Sequence, residues 1–206
     1  MSFGNYTELK SEVANYLGRS DLTTQIPTFI ELAEIRLGRD TRFRQMLKSV
    51  TATTTASDPR IALPSDFLEI RDLTIQGSPR TPLSYLSPSK FSRDSNADVV
   101  GTPVFYTILS AEFQFAPKPD RAFTLELLYY AKPAFLSDSN SSNVFLANCP
   151  DLLLYGALLE AQPYLVDDKR IPVWSGLYDR GVKNLSDASE KSEYSGVPIT
   201  MSLTTR

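Results

Sequence analysis

The sequence predicts an α+β fold. A helical bundle, built from two N-terminal and two C-terminal helices, carries a β-rich antiparallel insertion and ends in an extended C-terminal tail. Three observations carry this expectation. Apolar residues recur at helical spacing near both ends of the chain. The middle switches to short alternating runs separated by proline and glycine turn signals. The final residues alternate with a period of two. The expected segments are a helical hairpin over 1–49, the β-rich insertion over 50–147, the C-terminal helices over 148–195 and the tail over 196–206.

Tyr6, Leu9, Val13, Tyr16 and Leu17 form the apolar face of the first helix. Asn5 with Glu8 reads as a capping box, and Gly18 as the stop. Asp21 is the next N-cap candidate, with Pro27 tolerated near the start of the second helix. Ile26, Phe29, Ile30, Ala33 and Leu37 form its stripe. So few residues separate the two helices that an antiparallel hairpin is expected.

From about residue 50 the pattern suits strands. Residues 50–57 are rich in Thr and Val, and Asp58-Pro59 signals a turn. Leu68 and Ile70, then Leu73 and Ile75, alternate with a break that reads as a bulge. Gly77-Ser78-Pro79 turns the chain, and residues 91–98 read as a polar loop. Residues 104–109 are apolar on both faces, residues 112–116 alternate cleanly, and Pro117-Lys118-Pro119-Asp120 reads as a turn. Residues 123–130 are the strongest strand candidate. Regular spacing of such runs predicts a small antiparallel sheet or sandwich.

Residues 137–143 form a polar low-complexity loop. Helix signals resume at Pro150, with Asp151 in the first turn. Residues 152–161 are apolar nearly all round, which predicts a buried central helix ending at Pro163. Pro172 opens the last helix, with Trp174, Leu177, Tyr178, Leu185 and Ala188 as its stripe. Gly176 and Gly181 lie inside it and suggest close packing. Gly196 and Pro198 end it.

Composition narrows the chemistry. The 206 residues include no histidine, one cysteine and one tryptophan. Imidazole-based triads and most zinc or non-haem iron sites are therefore closed to this chain, as are disulfides and CxxC sites. No cofactor and no metal ligand set is expected. The first ten residues lack a basic stretch followed by an apolar one, so no secretory leader is expected. No apolar run is long enough to cross a membrane. Twenty-one basic against twenty-four acidic residues give a net charge of −3, which does not suit a free nucleic-acid binder.

Two patches carry a resemblance. Tyr6, Leu9, Tyr16, Leu17, Arg19, Asp21, Leu22, Ile26, Pro27, Phe29, Ile30, Leu32, Ala33, Glu34 and Arg36 form the first, and Pro150–Ala161 before Pro163-Tyr164-Leu165 forms the second. In order and spacing they resemble the head-to-tail adaptor, or connector, proteins of tailed bacteriophages. The resemblance implies a structural virion protein of the neck, made in the host cytoplasm. Twelve copies would form a ring beneath the portal protein, meet a tail or nozzle protein and continue the DNA channel. DNA would pass without sequence-specific binding, and no membrane would be involved.

Candidate site residues fall in two groups. In the tail, Val197, Ile199, Met201 and Leu203 alternate with polar residues around Pro198, which suits strand addition to a partner. The resemblance assigns that partner as the portal. Arg36, Arg39, Arg42, Arg44 and Lys48 form a basic run, with 36, 39 and 43 on one helical face and 42 and 44 elsewhere. Subunit or portal contacts suit these cations better than DNA contacts, because each neutralised phosphate would tighten a grip on DNA that has to slide. The alternatives are a virion hydrolase acting on carbohydrate or peptidoglycan and a β-domain receptor-binding or decoration module. The hydrolase would need carboxylate pairs such as Asp151 with Glu160 or Asp167 with Asp168. Capping and turn roles explain those acids more simply, as packing explains Cys149 and the aromatics.

Overall fold

An eleven-residue helix that is apolar on every side has to be surrounded, and the architecture of the chain ends follows from that. The computed structural model describes residues 4–94, 98–165 and 168–194. The fold is α+β, with six α-helices among the described residues and sheets that are mostly antiparallel. Contacts divide it into two compact units. One comprises the described residues of Met1–Met46 and Pro133–Arg206, and the other is Leu47–Lys132.

In the first unit, α1 is Tyr6–Leu17, α2 is Ile26–Asp40, α4 is Val144–Asn148, α5 is Pro150–Glu160 and α6 is Ile171–Tyr194. Helix α5 carries buried Leu152, Leu153, Leu154, Gly156, Ala157, Leu158 and Leu159 and touches α1, α2, α4 and α6. Gly156 is where α2 comes closest: a Cβ there would stand 3.0 Å from that of Ala33. Gly181 plays the same part on α6, where a Cβ would collide with the buried Leu152 side chain. Gly176 does not, since a Cβ there meets nothing within 4 Å.

Helix α1 starts as its capping signal requires. Asn5 Oδ1 accepts the Glu8 N–H at 2.9 Å, and Glu8 Oε2 accepts the N–H of Gly4 at 2.6 Å. Gly18, at φ 65°, closes the helix by donating to the Ala14 and Asn15 carbonyls. The apolar stripes of α1 and α2 are buried as expected, except Tyr16, which is 43% exposed. Asp21 does not cap α2. Its carboxylate is held by Arg19 at 2.9 and 2.5 Å, residues 21–25 form turns, and α2 begins behind Gln25.

The stripe expected on α6 is buried only in its first half, at Trp174 and Tyr178. Leu177 and Leu185 are half-buried and Ala188 is exposed. Length is the reason: α6 is about 36 Å long and α5 about 16 Å, so the second half of α6 outruns its partner. There the Arg44 N–H donates to Ser189 Oγ at 3.1 Å.

In the second unit, β1 (Leu47–Thr53), β10 (Thr124–Ala131), β3 (Phe67–Ile75) and β4 (Thr81–Pro82) form one antiparallel sheet in that order. The strand that reads strongest in sequence, β10, is central. A second sheet has the order β2 (Arg60–Ala62), β8 (Glu112–Ala116), β7 (Phe105–Leu109), β5 (Ser84–Tyr85). The two sheets share one core, with Leu73, Leu125, Leu127 and Tyr129 from the first packed with Tyr106, Phe113 and Phe115 from the second. The bulge foreseen in β3 is present. Ile70 and Asp72 pair with Tyr129 and Leu128, which makes Arg71 the extra residue. That insertion returns Ile70 to the core side, in phase with Leu73 and Ile75.

Four expectations are corrected. Pro88–Asp94, which overlaps the start of the loop expected over 91–98, is a short helix, α3, which packs on β7 and buries Phe91. The turn expected at Pro117–Asp120 contains a two-residue strand, β9 (Lys118–Pro119), paired in parallel with β6 (Val100–Gly101). β5 is also parallel to β7, so the sheets are not uniformly antiparallel. Residues 144–147, expected to be β-rich, form α4 together with Asn148 because Asn143 caps it, its Oδ1 accepting the Leu146 N–H at 3.0 Å.

Candidate functional site

Arg36 and Arg39 lie on the last turns of α2, Arg42 and Arg44 follow its end, and the candidate cations do different work. Arg36 donates to Glu160 Oε1 at 3.0 Å, stands 4.0 Å from Asp40 and lies 5.1 Å over the Tyr178 ring. It therefore ties α2 to α5 and α6. Tyr178 donates its hydroxyl proton to Asp40 at 3.0 Å, and burial together with that carboxylate raises its pKa above the ordinary phenol range. Arg42 donates to the Gly38 and Thr41 carbonyls, where the helix dipole favours a cation.

Arg39 and Arg44 are exposed, and their side chains have no ion-pair partner among the described residues. Lys48 lies in the other unit, on β1, paired with Asp66 at 2.7 Å. Asp66 also accepts the Tyr129 hydroxyl at 2.7 Å, and Lys48 holds its carboxyl below the usual range. So the run contains three tethered cations and two exposed ones. The tail candidates Val197, Pro198, Ile199, Met201 and Leu203 lie outside the described residues, as does Asp167.

Of the candidate carboxylate pairs only Asp151 with Glu160 lies wholly within the described residues, and it does not have the spacing of a hydrolytic pair. Asp151 and Glu160 stand at opposite ends of α5, about 14 Å apart along its axis, beyond the roughly 5–9.5 Å used by paired glycosidase carboxylates. Glu160 is engaged by Arg36, and Asp168 by Arg170 at 2.6 Å, which lowers the Asp168 pKa. Burial, with Asp151 nearby, pushes the Cys149 thiol up to about 12, so it stays protonated at neutral pH. Among the described residues no group of three or more acidic or cysteine side chains is placed to hold a metal ion.

Sequence reasoning missed the most perturbed acid. Glu34 is 1% exposed on α2. Its carboxylate accepts the Leu136 N–H, 3.2 Å from each oxygen, and the Asn143 side-chain amide at 2.5 Å. It thereby holds both ends of the stretch that leads into α4. Burial pushes its pKa up to about 7, with the Glu31 charge adding, while the two donors pull it back only in part. A signal was available: Glu34 falls four residues after Ile30 and three before Leu37, on the buried stripe.

A cleft of about 680 Å³ opens where α5 ends and α6 begins, lined by Arg36, Glu160, Gln162, Pro163, Leu165 and Ile171 among others. Its walls are mixed in polarity, and Arg36 and Glu160 within them are already paired at 3.0 Å.

No curated protein matches the chain. The family model described as SU10 adaptor protein matches it over residues 4–202 and so spans both units. The chain therefore belongs to the SU10 adaptor protein family of phage structural proteins.

Proposed function

We propose that the chain is the subunit of an adaptor ring in the phage neck, probed best by its meeting with the portal. Copies assemble, twelve in the reading implied by its relatives in kind, beneath the portal vertex. They present a platform to a tail or nozzle protein and extend the DNA channel. The observation that carries this reading is the family match along nearly the whole chain. The net charge of −3 agrees with a conduit, since a wall rich in cations would retard the duplex. Exposed Arg39 and Arg44 are assigned to subunit or portal contacts. The tail residues Val197, Pro198, Ile199, Met201 and Leu203 are assigned to portal docking by strand addition. The β-rich segment serves as an insertion carried by the helices. No described helix is long and apolar enough to cross a membrane.

The test is direct. Purified chain is mixed with the portal protein of the same phage and examined by cryo-EM and mass photometry. A ring seated on the portal is expected. A chain that stays monomeric and leaves the portal bare overturns the proposal.

A further inference from the structure

Two helix faces of the helical unit are exposed and have no partner among the described residues. On α2, Thr28, Leu32, Ile35 and Arg39 recur as one stripe turned away from α5. Leu32 is 40% and Ile35 36% exposed. Glu31, beside them, is exposed and has no ion-pair partner among the described residues. On α6, Val173, Gly176, Arg180 and Lys183 form the outward line opposite Trp174 and Tyr178. Val173 is 60% exposed, and neither cation has an ion-pair partner among the described residues. Gly176 stands in the middle of that line with open space around it. A glycine inside a helix costs about 1 kcal/mol relative to alanine, and packing within the chain gives no reason for it here.

We infer that the outer face of α6 receives the outer face of α2 from a second copy of the chain, antiparallel, with Ile35 over Gly176. Charge decides both occupant and direction. Antiparallel pairing about Ile35 and Gly176 sets Glu31 opposite Arg180 and Thr28 opposite Lys183, because each helix advances 1.5 Å per residue. Arg39 then faces Pro172. Parallel pairing would set Arg39 against Arg180, two like charges. The missing Cβ at Gly176 lets the axes approach to the short end of the 8–10 Å range. The two faces are different surfaces of one molecule, so the contact is head-to-tail and can close a ring. That last step rests on the ring-subunit reading above.

Disulfide trapping tests it on full-length chains, with and without portal. An Ile35→Cys chain is mixed with a Gly176→Cys chain, oxidised gently and run on a non-reducing gel. A linked pair is expected from the mixture and not from either chain alone. A Thr28→Cys chain with Gly176→Cys, about 10 Å out of register, should give several-fold less product. Glu31→Arg on the first chain should lower the yield several-fold, and Arg180→Glu on the second should restore it. Absence of the in-register product in both conditions overturns the inference, as does equal yield out of register or a crosslink to portal in place of the second copy. If wild-type chains assemble while the pair fails to link, the interface is wrong and the ring reading stands. A chain carrying both cysteines separates the remaining case. A ladder of multimers supports both, whereas product that stops at the dimer upholds the pairing and overturns the ring.

Discussion

Replacing Glu34 by glutamine should remove a pH dependence from the helical unit. In the folded chain the carboxyl is buried and its pKa is pushed from the ordinary 4.5 up to about 7. Between these values the folded protein holds a proton that the unfolded chain has released. Stability contributed by this group is therefore full below pH 4.5 and is lost as pH rises through 7. A rise of that size corresponds to about 3 kcal/mol. Glutamine is neutral throughout, and its Oε1 can still accept from Asn143 and Leu136, the two donors that reach Glu34 Oε1. Urea unfolding followed by fluorescence is suited to the measurement, because Trp174 is the one tryptophan and is buried in the same unit as Glu34. Wild type should lose about 2–3 kcal/mol between pH 5 and pH 8, the share of that change falling within the window, and Glu34→Gln should be flat there. The acids held low by cations, Asp66 and Asp168, titrate below it and act with the opposite sign. Equal slopes in the two proteins, or a flat wild type, would refute the reasoning.

Three other predictions concern packing and assembly. Thr107 is fully buried on β7 and its hydroxyl has no hydrogen-bond partner among the described residues, so Thr107→Val should stabilise the β-rich unit by about 1–2 kcal/mol in thermal melts read by circular dichroism. Gly181→Ala should destabilise the helical unit by about 1–3 kcal/mol because the buried Leu152 side chain would have to shift, while Gly176→Ala should stabilise the isolated subunit by up to about 1 kcal/mol; the same urea assay compares them. Deleting residues 197–206 should leave the unfolding midpoint of the chain unchanged and abolish portal docking in a pull-down. Docking that survives the deletion removes the role assigned to Val197, Ile199, Met201 and Leu203.

Several elements whose cause is local were legible, although the short α4 capped by Asn143 was not. The cap at Asn5, the stop at Gly18, the buried helix after Pro150, the alternation of β8 and the bulge in β3 each follow from residues within a few positions of one another. Helix α3 was not legible, because of residues 88–93 only Phe91 is buried and docking on β7 supports the helix. The candidate site divided in the same way. A run of cations is visible in any sequence, but their partners are not: Arg36 meets Glu160, 124 positions away. Glu34 finds Leu136 and Asn143 at separations of 102 and 109.

By itself, then, the sequence determined the types of the longer elements, the apolar stripes of α1 and α2, the exclusion of imidazole chemistry and the resemblance to phage adaptors. Backbone periodicity and capping act over a turn or two, and the residue types present bound the chemistry available. Only the tertiary structure decided which charges are spent within the chain and which remain outward. It also separated Gly181, required by Leu152, from Gly176, which the fold leaves open. Both glycines carry the same local cost, and only the neighbours brought by long-range packing distinguish them.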